Sequence, residues 1–160
     1  MAIWRGILAG LVGGLIAAGA MSVAHKGLVA ITSGSRPPDH AQEDDATVKV
    51  ADGIARWLLR RPLTEDEKPG AGESVHYAFG ASVGAVYGGV ASVAPRVTVA
   101  RGLPFGLAVW LGAHVVVVPA LGLAPPPTRQ PPSKEAVELV LHLVYGAVTE
   151  LVRRVVRQAL

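Results

Sequence analysis

The sequence predicts an all-α integral membrane protein with four transmembrane helices and a short amphipathic interfacial helix in the first connection. Three observations predict it. Mean hydropathy is +0.41, and hydrophobic residues make up 51% of the chain. Charged residues are 17%, against roughly 25% in a soluble domain. Apolar stretches recur four times, each near the ~20 residues a helix needs to span ~30 Å of hydrocarbon. The 160 residues suffice for a single membrane domain.

The first stretch covers about 6–31. Arg5 precedes it, and Ala18-Gly19-Ala20 has the small side chains of a signal-cleavage site. The apolar run continues through Leu28-Val29-Ala30-Ile31, past the length of a signal's apolar core, so it reads as a retained membrane helix. The connection that follows, 32–73, holds nine of the twelve acidic residues, including Glu43-Asp44-Asp45 and Glu65-Asp66-Glu67. Within it, about 46–61 has helical spacing. Ala46, Val50, Ile54 and Leu58 share one face, with Ala51, Ala55 and Leu59 beside it. Trp57, Arg56, Arg60 and Arg61 close this segment, which reads as a helix lying at the membrane interface.

The second stretch, about 74–94, carries Gly80, Gly84 and Gly88 at four-residue spacing. Such a row lets another backbone approach closely, and Gly6, Gly10 and Gly14 of the first stretch offer the matching row. Pro95-Arg96 and Arg101 separate it from the third stretch, about 102–123. Pro125-Pro126-Pro127 and Pro131-Pro132 separate the third from the fourth, about 135–156, because proline ends one helix and holds the chain extended. Ser133, just before Lys134 and Glu135, reads as the N-cap of the fourth.

With four spans, both termini and the second connection share a side. That side holds Arg5, Arg96, Arg101, Arg153, Arg154 and Arg157 and no acid. The acidic connection also has six Lys and Arg, but the positive-inside rule is strongest for short loops. Both termini are therefore expected in the cytoplasm.

Composition narrows the chemistry. No cysteine is present, which excludes disulfides, thiolate catalysis and cysteine-held metal or haem. A net charge of +3, without a basic stripe, excludes a nucleic-acid partner. No G-x-S-x-G elbow and no phosphate-cradling glycine loop occurs, so no catalytic residue is assigned. What remains is a set of ionisable residues inside apolar segments, where a charge costs ~2.5–3.5 kcal/mol and marks a partner or a wet cavity. The primary set is His76, His114, Glu138 and His142, with His25, Lys26 and Glu150 secondary. Most fall in the outer half of the membrane. Glu138 and His142 are four apart and share a helix face. His114, Glu138 and His142 are expected to form one hydrogen-bonded unit. Such a unit can carry a proton, since histidine titrates near physiological pH. With His76 it also supplies three nitrogens and an oxygen, which suit Zn or Fe. Interhelical hydrogen bonding alone is the third alternative. Lys26 can snorkel outward, and Glu150 reads as an ion pair with Arg153 and Arg154 at the helix end.

Several residues in order carry a resemblance. Lys26-Gly27 ends the first stretch, and Pro37-Pro38 follow. His76, Phe79, Tyr87 and Pro95 mark the second. His114 and Pro119 lead to Gly122-Leu123-Ala124-Pro125-Pro126, and Glu138 precedes His142-Leu143-Val144, Glu150 and Arg153-Arg154. In these the chain resembles the YagU-like family of small bacterial inner-membrane proteins, best after Ser74. The first connection departs from that pattern and is more acidic. The resemblance implies a multi-pass protein of the inner membrane and brings no activity with it. Three functions follow as expectations. One is proton- or ion-linked transport, or sensing of external pH, through the His/Glu cavity. Another is an accessory or scaffolding subunit of a larger membrane complex. The third is a metal-dependent membrane enzyme. The lipid bilayer is the expected partner, with further copies of the chain or a larger complex beside it.

Overall fold

Nothing between Ile3 and Thr32 interrupts a helix: the run is apolar and free of proline. Helix α1 accordingly spans Ile3–Thr32, 30 residues or about 45 Å, unbroken through Ala18-Gly19-Ala20. The computed structural model describes residues 3–32 and 45–160, so Pro37-Pro38 and Glu43-Asp44 lie outside the described residues. Helix α2 is Ala46–Leu59, stopped where Arg60 turns left-handed at φ 59°. Helix α3 is Lys68–Val93, opened by Pro69 in its first turn. It begins six residues before the apolar stretch, because the polar start is helical although it is not apolar.

A tight 3-10 turn, Pro95–Gly102, follows. Ala100, Arg101 and Gly102 take φ of 50°, 56° and 87°, and only the last is a residue that adopts this region without cost. Helix α4 then starts as α-helix at Leu103–Val109, widens to π-helix at Trp110–Val117 and closes as Val118–Ala120. Helix α5 is Pro132–Ala159. It starts one residue before Ser133, with Pro132 at the first helical position, so the serine hydroxyl caps nothing. Among the described residues there is no strand.

The helices α1, α3 and α5 pack together, α4 lies against α5, and α2 lies on the start of α3. Close approach is set by glycine. A Cβ on Gly84 would lie 2.7 Å from the Gly14 Cα, and one on Gly10 2.8 Å from the Gly88 Cα. The α1 and α3 backbones therefore cross antiparallel along Gly6-Gly10-Gly14 and Gly80-Gly84-Gly88. A second seam joins α4 to α5: a Cβ on Gly146 would meet the Gly106 Cα at 2.7 Å, and one on Gly106 the His142 carbonyl. Gly13 brings α1 onto Thr149 of α5.

Among the described residues two stretches are long and apolar enough to cross a membrane, Ile3–Leu28 and Pro95–Ala120, with mean hydropathies of 2.1 and 1.8. Helices α3 and α5 have the length, 26 and 28 residues. Their apolarity is diluted by glycine and serine in α3 and by Glu138, Glu150, Arg153 and Arg154 in α5.

Candidate functional site

Among the described residues of α3, α4 and α5, polar side chains gather in two clusters toward opposite ends of the bundle. The first is built where α4 faces α5. The π segment Trp110–Val117 encloses His114. A π turn takes in an extra residue and rotates the side chains that follow, which is why such segments recur at functional sites. The His114 Nε2 lies 3.1 Å from Oε2 of Glu135 across the two helices. Trp110, one turn earlier, stacks on His114 with ring centroids 6.3 Å apart. On α5 the His142 ring stands 5.9 Å from that of His114. Its Nδ1 lies 2.7 Å from the main-chain oxygen of Glu138. A carbonyl only accepts, so Nδ1 donates, and in the neutral ring Nε2 keeps the free lone pair. The Glu135 Oε1 and Trp110 Nε1 are buried without a hydrogen-bond partner.

The carboxylate that meets His114 is thus Glu135, which sequence reasoning placed only at a helix boundary. Glu138 contributes its backbone oxygen to His142. The His76 Nε2 approaches the Ala18 carbonyl of α1 at 3.4 Å, a long interhelical contact. His25 and Lys26 are exposed, and the Lys26 Nζ lies 3.6 Å from Glu73 Oε1. Among the described residues no three His, Asp or Glu side chains are grouped so as to hold one metal ion. His76, His114, Glu138 and His142 are therefore not assembled as a ligand set here.

The second cluster centres on Glu150, which is 1% exposed. Its Oε2 accepts from Tyr87 Oη at 2.9 Å and from Arg153 Nε at 2.7 Å. Its Oε1 accepts from Arg153 Nη2 at 2.9 Å and from Arg154 Nε. Tyr87 stacks on Phe105 at 4.1 Å, and Arg154 Nη2 reaches the Thr98 carbonyl at 3.4 Å. Gly102 is needed beside it, because a Cβ there would lie 2.7 Å from the Glu150 Cβ. The expected ion pair at a helix end is in fact a buried junction of α3, α4, α5 and the 95–102 turn. Tyr87 and Phe105 were not legible as its members, since they come from other helices. An aromatic at helical spacing more often signals core than a polar network.

Chemically the clusters differ. The Glu150 carboxylate is saturated by four donors, so it has no acceptor capacity left for a proton or a ligand. The His114 cluster has spare capacity: a free imidazole nitrogen, an unpaired carboxylate oxygen and an unpaired indole N–H.

Residues 53–151 match the sequence model of a family described as protein of unknown function (DUF1440). The match includes the whole histidine cluster and Glu150. No curated protein and no solved structure matches the chain.

Proposed function

We propose that this chain, which belongs to the DUF1440 family, is a four-span inner-membrane protein that binds a proton at His114, Glu135 and His142. The bound proton changes how α4 packs on α5, in the service of proton-linked transport or of sensing pH on the side of the acidic connection. The YagU-like resemblance supports the membrane placement. The single observation that carries the proton reading is the His114–Glu135 pair, 3.1 Å long, which joins the π-helical segment of α4 to the first turn of α5.

The chemistry follows from the arrangement. With His114 protonated, the pair is an imidazolium bonded to a carboxylate, and the charges offset each other. A further proton can go to the free Nε2 of His142. Two imidazolium rings then face each other across 5.9 Å, and like charges at that range repel. Gly106 rests on the His142 carbonyl, so movement of His142 is transmitted to the α4 backbone.

The test uses Trp110, stacked on His114, as the reporter. The parent in lipid should change its tryptophan emission as pH is lowered, since a protonated imidazole quenches indole. His114→Gln should abolish that change, and His142→Gln should remove the accompanying pH-dependent loss of thermal stability. If both variants keep the parent's full response, the histidines only hold helices together. The accessory-subunit reading then leads. One observation favours it independently: an apolar groove of about 370 Å³ between α1 and α3, lined by Ile3, Ile7, Val86, Val90 and Val93.

A further inference from the structure

Helix α2 has a wider apolar arc than its neighbour covers. Ala51 and Ala55 are buried, and Val48 meets α3 at Gly72, where a Cβ would lie 2.7 Å from the Val48 Cγ2. At ~100° per residue, Ile54 and Leu58 fall on the flank next to that contact, and Trp57 lies beyond Ile54, away from it. They are 47%, 60% and 78% exposed. Asp52 and Arg56 occupy the opposite flank and bond to each other at 2.6 Å.

The helix is also held in place. Asp52 Oδ1 accepts from the Leu63 amide at 2.8 Å. Arg61 and Glu67 form a two-pronged pair at 2.8 Å each, and the Thr64 amide donates to the same carboxylate at 2.9 Å. Residues 60–67 therefore clamp α2 to the start of α3, at one end of a bundle built from helices of membrane-spanning length. We infer that α2 lies in the headgroup region of the bilayer on that side, with Ile54, Trp57 and Leu58 in contact with the upper acyl chains.

The choice of lipid over protein rests on residue types and their order. Val48, Ala51 and Ala55 make the face of α2 that packs on Gly72 of α3, and the bulkier Ile54, Trp57 and Leu58 lie off that face. Trp57 stands between Ile54 and Leu58 on one side and Arg56 and Arg60 on the other, where an indole and guanidinium groups match the boundary between acyl chains and headgroups. Two turns beyond Gly72, α3 exposes Phe79, 50% accessible, as a membrane-facing helix would. The inference depends on the membrane placement proposed above, and the experiment separates the two.

The parent and Trp57→Phe are reconstituted into phosphatidylcholine–phosphatidylglycerol vesicles with bromine either near the top of the acyl chains or deep among them. The exposed position of Trp57 makes the substitution harmless to packing. The difference between the two spectra is the emission of Trp57. It should lose most of its intensity to shallow bromine, less to deep bromine and little to aqueous acrylamide. Quenching by acrylamide alone places the face in water, and quenching by neither places it under protein, such as a second copy. Either result overturns the inference. Emission left in Trp57→Phe comes from Trp4 and Trp110. Its quenching by bromine shows the bundle is in the bilayer whatever α2 does, and its indifference to bromine at both depths removes the membrane placement and this inference with it.

Discussion

Glu150 shows how much a single side chain can hold. It is a carboxylate 1% exposed, facing a guanidinium, Arg153, that is 5% exposed. Burying such a pair gains little over apolar packing, but removing one partner strands the other charge, at a cost of ~3–5 kcal/mol. Glu150→Gln should therefore lower stability by about that amount, read as thermal unfolding in detergent. Tyr87→Phe deletes one bond to the same carboxylate and should cost less, about 1.5–3 kcal/mol. Glu138→Gln is the contrast, because the oxygen that His142 uses is on the backbone. A Glu150→Gln protein that melts with the parent would remove the network from the account of stability. The same residues show what the sequence discloses at this scale. The spacing of Glu138 and His142 on one helix is legible, since i and i+4 share a face. The pairing of His114 with Glu135, or of Glu150 with Tyr87, depends on the register between helices, and no local pattern states it.

At the scale of elements, glycine rows are the most legible feature. Their four-residue period is a backbone property readable from sequence, and the rows lie where α1 and α3 meet. Gly84→Leu should disrupt that crossing, because its Cβ alone would stand 2.7 Å from the Gly14 Cα. Gly112→Leu should be tolerated, since nothing lies within 4 Å of a Cβ there. Equal thermal stability of the two variants would mean that the seam bears no load. The π segment was not legible: WLGAHVVV has the composition of any membrane helix. The turn between α2 and α3 yields a pH prediction. The Arg61 guanidinium and the Thr64 amide hold the Glu67 carboxyl down to about 2, against its ordinary 4.5. A depressed carboxyl contributes stability above its unfolded value and loses it as pH falls toward the folded one. Hydrogen exchange at the Thr64 amide should therefore quicken between about pH 4.5 and 2, relative to its intrinsic rate. In Glu67→Gln it should be fast throughout, and a protected amide in that variant would exclude the clamp.

For the whole molecule, many large apolar side chains face outward while a few charged ones are held inside. The Pro95–Ala120 stretch is apolar enough to span, yet only 6% of its apolar window is buried. Thr149, Glu150 and Arg153 of α5 are buried beside Leu141 and Tyr145 of the same helix. Among the described residues hydropathy therefore finds α1, packed through its glycines and alanines, and the outer α4, and it passes over α3 and α5, whose glycines and charges dilute their apolarity. The four crossings proposed above would have one orientation. Gly6 lies by Ser92, Gly13 by Arg153 and Gly102 by Glu150. The start of α1, the end of α3, the start of α4 and the end of α5 thus share one end of the bundle, where Arg5, Arg96, Arg101, Arg154 and Arg157 also fall. Lys26, Glu73 and Glu135 belong to the opposite end. An end rich in arginine and poor in acid should stay in the cytoplasm. The absence of cysteine makes this measurable, because every introduced thiol is unique. Thr128→Cys, exposed between α4 and α5, should react with an impermeant maleimide in intact spheroplasts. Leu160→Cys should react only in inverted vesicles. Reversed labelling would invert the protein in the membrane, and both thiols reacting from one side would mean that α5 does not cross it.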